Sequence, residues 1–218
     1  MIKKQKIQKI VKCFETGTPE GDYGEVSIFN DGPNGIKQLS YGAQQTTQYG
    51  HLPELLRKYV ENKGKYSAEI SSKLPLKADS WKDKSLITTL KGSGSDPIMV
   101  KCQDDLFETK YFAPAMRWAD ENGFKENLSL LVIYDSFIHS GCILSFLREK
   151  FSAKTPKNGG SERDWISQYI DVRHNWLENH SNKILRKTIY RTNNMKKAIA
   201  AKDWNLDLTF VANGVKIS

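Results

Sequence analysis

The sequence predicts an α+β protein, predominantly α-helical, with a small β-hairpin region directly after its first helix. Three observations carry this. Apolar residues recur at helical spacing at the N-terminus and again from Leu52 onward. Between them, Tyr23 to Tyr41 is rich in Gly, Asn, Asp and β-branched residues, and the tail alternates apolar and polar around Asn213-Gly214. With 218 residues, 39% of them hydrophobic and 27% charged, the chain can bury one good core or two lobes sharing a cleft. A single domain over residues 1–218 is the expectation.

The elements follow in order. In MIKKQKIQKIVKCF, Ile2, Ile7, Ile10, Val11 and Phe14 fall on one helical face, without the continuous apolar stretch or small-residue cleavage site of a signal peptide. Tyr23 to Tyr41, centred on DGPNG, reads as a hairpin or a three-stranded, turn-rich sheet. Helices are then expected over about residues 52–62, 67–74, 80–90, 97–121, 127–139, 143–152, 162–179 and 183–201. Their breaks have local causes: GSGSDP at Gly92 to Pro97, ENG ending at Gly123, and KTPKNGGS, in which Ser161 caps the next helix. LDLTFVANGVKIS closes as a small hairpin. The longest apolar run, Leu128 to Tyr134, is interrupted by Asp135 and Ser136 and is far too short to cross a bilayer, so no membrane insertion is expected.

Three cysteines, Cys13, Cys102 and Cys142, are an odd, scattered set that reads as free thiols rather than a disulfide framework. His51, His139, His174 and His180 never cluster with them at ligand spacing, which argues against a metal site. The formal charge of +8 favours polyanionic partners. Its distribution is uneven: Cys13 to Ile36 holds Glu15, Glu20, Asp22, Glu25 and Asp31 with no Lys or Arg, which leaves +13 on the remainder.

The chemistry concentrates in that acidic segment. Glu15 follows the apolar stripe of the first helix beside Phe14, where desolvation raises a carboxyl pKa and lets it protonate a glycosidic oxygen. It is the candidate general acid. Asp31 lies in a tight Asn-Asp-Gly turn that also satisfies ordinary turn chemistry, and Glu25 is the alternative base. A helix end facing a hairpin suits the roughly 6.5–9.5 Å separation of an inverting pair better than the roughly 5 Å of a retaining one. Tyr23, Tyr41 and Tyr49 are candidates to line a groove and stack on sugar faces, while Trp81, Trp118, Trp165, Trp176 and Trp204 read as core. Asp135, inside the most apolar helix, demands a buried cation, for which Arg173 and Arg191 are the partners of choice.

The run FETG…YG…DG…LSYG…QTT resembles the chitosanases of glycoside hydrolase family 46 and their lysozyme-like relatives, over about 35 residues of motif with a compatible helical remainder. The resemblance implies a two-lobed, lysozyme-like fold and one catalytic domain with no separate binding module. It implies Glu15 as acid, Asp31 as the residue that activates water with inversion, and Ser40, or Thr46 in reserve, as the hydroxyl holding that water. It further implies Asp135, Arg173 and Arg191 as a supporting network behind the acid. Neither a metal nor an organic cofactor is called for.

The substrate divides the evidence. The acidic segment suits a cationic polymer such as chitosan, whereas the summed charge suits peptidoglycan and makes a lysozyme-like muramidase the leading expectation. Chitosan hydrolysis is the alternative, and a basic nucleic-acid-binding module, suggested by a pI of 9.2 and the basic stretch Lys183 to Lys197, is the remoter one. A wall hydrolase would act outside the cytoplasm or in the periplasm after delivery, and would call for an inhibitory immunity protein as a partner.

Overall fold

The computed structural model describes residues 2–218. Along the chain run α1 (Lys4–Thr16), β1 (Val26–Phe29), β2 (Gln38–Tyr41), β3 (Thr46–Thr47), α2 (Leu52–Glu61), α3 (Ser67–Ser71), α4 (Lys84–Ser93), α5 (Pro97–Phe107), α6 (Ala113–Asn122), α7 (Asn127–Ser140), α8 (Ser145–Arg148), α9 (Glu162–Glu178), α10 (Lys183–Arg186), α11 (Tyr190–Ala200), β4 (Phe210–Ala212) and β5 (Val215–Ile217). The α+β, mainly helical class expected from the sequence is the one observed. No described helix is long and apolar enough to cross a membrane.

Two compact units emerge, Met1–Pro19 with Thr109–Ser218, and Glu20–Glu108. The first is organised around α7, which is buried on every side from Asn127 to Phe137, as befits a helix apolar all round. Against this core α1 lays the stripe Ile7, Ile10, Val11, Cys13 and Phe14. Burying side chains of this kind stabilises by roughly 1.5–3 kcal/mol each. Gly17 ends α1 in the left-handed region at φ +77°, its N–H bonded to the Cys13 carbonyl at 3.0 Å. Ser161 caps α9 by accepting from the Asp164 N–H at 3.2 Å. The β4–β5 hairpin turns on Asn213 (φ +48°) and Gly214 (φ +84°), the two positive angles that an Asn-Gly turn supplies cheaply. Phe210 of β4 meets Phe14 edge-on at 6.2 Å.

The second unit has its own core, in which Leu39 and Tyr41 pack with Leu52, Leu55, Leu56, Tyr59, Leu86, Leu90, Met99 and Leu106. Its sheet is antiparallel in the order β1-β2-β3, with Val26 opposite Tyr41, Phe29 opposite Gln38 and Ser40 opposite Thr47. DGPNG lies in the β1–β2 connection, closed by Gly32 N–H to Ile36 O at 3.0 Å and Gly35 N–H to Gly32 O at 2.9 Å.

Several helix bounds depart from the sequence reading. The helix expected over residues 97–121 is two, α5 and α6, separated by a π-helical segment, Glu108–Phe112. Pro114 explains it, since its ring clashes with the carbonyl four residues back and it has no N–H to donate. The helix expected at 80 starts as a 3-10 turn, and α4 proper begins after Asp83, whose carboxylate accepts from the Leu86 N–H at 3.0 Å. The expected helix 143–152 shrinks to α8 because the Arg148 guanidinium bonds the carbonyls of Phe151 and Ala153, drawing the following chain into a loop. Cys13 and Cys102 are buried and Cys142 is exposed, all three as free thiols.

Candidate active site

Glu15 occupies the last turn of α1, one residue past Phe14, with its side chain 13% exposed. Its carboxylate meets the guanidinium of Arg191 from α11. Arg191 reaches in turn to Asp135 of α7, Nη1 to Oδ1 at 2.7 Å, and Arg173 of α9 closes on the other oxygen of Asp135 at 2.8 Å. Asp135 and Arg173 are wholly buried. Four side chains from four helices therefore form one chain of alternating charge, Glu15–Arg191–Asp135–Arg173.

The backbone beneath Glu15 is pinned as well. The Phe14 carbonyl accepts from the Tyr190 hydroxyl at 2.5 Å and from Arg191 Nη2 at 3.4 Å. Sequence reading missed Tyr190, although its neighbour Arg191 was in hand; its aromatic character gave no hint that the hydroxyl would fasten the end of α1.

Electrostatics divide the two carboxyls of the chain. Burial raises the Glu15 pKa, Arg191 opposes this by charge and hydrogen bond, and Asp135 reinforces it, with an upward net shift. Burial would raise Asp135 too, but the charges of Arg173 and Arg191 override it and hold its pKa below the ordinary value. His139, one turn beyond Asp135 on α7, is pushed down to about 3 by burial and by both guanidiniums, so it stays neutral. A neutral ring adds no third positive charge to the cluster.

The second unit carries the other candidates. Asp31 is exposed in the β1–β2 connection, and its Oδ1 accepts from Gln38 Nε2 at 3.1 Å. Gln38 is itself buried, and its Oε1 accepts from the Tyr49 N–H at 3.3 Å. Glu25, just before β1, accepts from the Ser27 hydroxyl at 3.2 Å. Ser40 and Thr46 lie inside the sheet, each 3% exposed, and neither hydroxyl bonds Asp31. β2 is buried along its whole length, so Ser40 is enclosed, and Thr46 Oγ1 is buried with no bonding partner.

The three tyrosines separate. Tyr41 is fully buried, its hydroxyl 2.8 Å from Ser93 Oγ, so it is a core residue and not a sugar-facing one. The physical reason is that β2 packs against α2 and α4 in a core of its own, leaving no solvent face. Tyr23 is partly buried and donates to Asp104 Oδ1 at 2.7 Å. Tyr49 remains 42% exposed, and Phe29 and Ile36 are exposed likewise. Of the tryptophans, Trp165 and Trp204 are buried and Trp81, Trp118 and Trp176 partly so. A cavity of about 580 Å³ lined by Lys73, Pro75, Lys82 and Asp83 contains none of the candidate residues.

The charge is also partitioned. The unit bearing Glu15 holds 22 Lys and Arg against 12 Asp and Glu, net +10, whereas the unit bearing Asp31 holds 11 against 13, net −2.

The chain is 26% identical over 223 residues to a chitosanase of Bacillus subtilis, covering 94% of this chain and 79% of the relative. A crystal structure of native chitosanase from Bacillus subtilis superposes with a TM-score of 0.82 at 23% identity, covering 99% of this chain and 98% of the other. The complex of a Gynuella sunshinyii chitosanase with chitotetraose gives 0.82 at 20% identity, covering 100% and 98%. Residues 9–210 match glycosyl hydrolase family 46, so the chain belongs to that family and is a glycoside hydrolase acting on an amino-sugar polymer.

Proposed function

We propose that the chain, working as one catalytic domain, hydrolyses β-1,4 bonds of chitosan by an inverting acid/base mechanism, with Glu15 as acid and Asp31 as base. Glu15 gives its proton to the glycosidic oxygen as the bond from that oxygen to the anomeric carbon breaks. Asp31 takes a proton from the water whose oxygen forms the new bond to the same carbon. The observation that carries the reading is the Glu15 carboxyl, buried enough for its pKa to rise and fixed by Arg191. Asp135 and Arg173 support it by holding Arg191. Tyr49, exposed, offers an aromatic face for sugar rings, and the partly buried Tyr23 is a second candidate. Glu25 is the alternative base.

Chitosan is preferred to peptidoglycan for two reasons. The relatives are chitosanases, and the net positive charge that pointed to an anionic polymer resides in the first unit, while the unit with Asp31 is net acidic. The summed charge of +8 still favours a polyanion at long range, which keeps peptidoglycan as the second reading.

Product analysis on chitosan and on purified peptidoglycan, side by side, tests both. Wild-type protein is expected to release oligomers from chitosan with inverted anomeric configuration, and Glu15→Gln and Asp31→Asn to lose about 10²–10⁴-fold in kcat. Release from peptidoglycan alone would reverse the substrate assignment, and full activity of Glu15→Gln would move the acid elsewhere.

A further inference from the structure

We propose that Gln38 is the positioning residue for Asp31, an amide that fixes the plane of the carboxylate so that its second oxygen faces the water. The proposal rests on the reading of Asp31 as base. Asp31 sits exposed on a loop, where a carboxylate turns freely about two side-chain bonds unless something holds it. A general base loses rate steeply when misplaced, by as much as about 10²-fold for 1 Å. Among the described residues, the one hydrogen bond to the Asp31 carboxylate comes from Gln38 Nε2, at 3.1 Å on Oδ1.

Gln38 is well suited to hold a loop residue because it does not belong to the loop. It is the first residue of β2, paired with Phe29 at the end of the ladder, and is 4% exposed. Its amide orientation is fixed by chemistry: the Tyr49 N–H can only donate, so Oε1 must face it at 3.3 Å and the NH₂ must face Asp31. That anchor is rigid in turn. Next to it, Gln48 N–H bonds Leu39 O at 2.8 Å, while Gln48 Oε1 accepts from Leu39 N–H at 3.2 Å. The backbone preceding Tyr49 is thereby bolted to β2 in both directions. Force on the exposed Tyr49 ring is transmitted through its own N–H to the amide that holds Asp31.

A neutral donor also fits the task better than a charged one. A Lys or Arg at this distance would hold the carboxylate equally well but would lower its proton affinity and weaken the base. An amide orients it without setting a positive charge beside it.

Kinetics of Gln38→Leu and Gln38→Glu on chitosan, with Asp31→Asn as reference and thermal melts to confirm folding, test the assignment. Gln38→Leu is expected to lower kcat about 10–100-fold with KM changed less than about twofold. Gln38→Glu has the same shape and keeps the acceptor for Tyr49, but replaces the donor with a like charge. It is expected to lower kcat and move the acidic limb of the kcat–pH profile upward, a shift that a merely structural role would not produce. Gln38→Asn, one methylene shorter, should lie between Gln38→Leu and the wild type. Folded Gln38→Leu and Gln38→Glu with unchanged kcat and unchanged acidic limb, alongside an inactive Asp31→Asn, would overturn the role of Gln38 and leave the base in place. An active Asp31→Asn would instead overturn the base, and this role with it.

Discussion

The two units treat their carboxyls in opposite ways. In the first, Glu15 is nearly enclosed and tied through Arg191 to a wholly buried Asp135–Arg173 pair, in surroundings of net charge +10. In the second, Asp31 stands exposed on a loop, touched by one neutral amide, in surroundings of net charge −2. A group that must keep a proton gains from desolvation, and a group that must take one from water gains from contact with solvent. On the proposed assignment, the difference teaches that role is written in environment: the side chains differ by a single methylene.

The sharpest way to break the contrast is to remove its most buried member. Asp135→Ala leaves Arg173 and Arg191 buried without their shared counter-charge, and denaturant unfolding should show a loss of about 3–5 kcal/mol. Asp31→Ala, by comparison, should change stability by no more than about 0.5 kcal/mol. Equal losses from the two would mean that the hairpin is as tightly built as the helical network.

A pH series sharpens the same point. Because burial raises the Glu15 pKa, the alkaline limb of kcat is expected above the ordinary glutamate range, where an exposed carboxyl would already have lost its proton. Asp135 contributes to that rise, so Asp135→Asn should bring the limb down; Arg191 opposes it, so Arg191→Met should send it up. Opposite movements of the limb would remove the electrostatic account of the acid. Stability follows with opposite signs. Asp135 has a depressed pKa, so its contribution is present above the unfolded value of 3.8 and is lost as pH falls through the folded one. Glu15 has a raised pKa, so its burial costs least while protonated and stability declines as pH rises from 4.5 through the folded value.

The smallest effect is expected at Thr46. Its buried hydroxyl has no partner, so Thr46→Val should be neutral or slightly stabilising, with chitosan hydrolysis unchanged. A tenfold loss of activity would restore the hydroxyl to a role beside the water.

Much of this was legible in the sequence because the signals are local. The stripe Ile7, Ile10, Val11 and Phe14 ending at Gly17 defines α1 and places Glu15; Asn213-Gly214 defines the last hairpin; and a lone Asp in an apolar helix announces that arginines will meet it. What escaped reading depends on distance or on hidden faces. Gln38 became visible as a contact of Asp31 only once the length of the β1–β2 connection was known, and nothing in QLSY says that all four residues are buried. Pro114 did signal the break before α6, but the apolar spacing on either side of it masked that signal. The charge partition was hidden because the first unit joins two stretches of chain separated by the second, so a running tally mixes them.

That discontinuity has a consequence for synthesis. A ribosome delivers Glu15 176 residues before Arg191 and nearly two hundred before Phe210, the ring against which Phe14 packs. Translation thus exposes Glu15, the proposed proton donor, early on a helix whose apolar stripe waits for α7 to cover it, with Arg191 and Phe210 arriving later still. Until α7 emerges, the apolar stripe of α1 is exposed surface of the kind that holding chaperones cover.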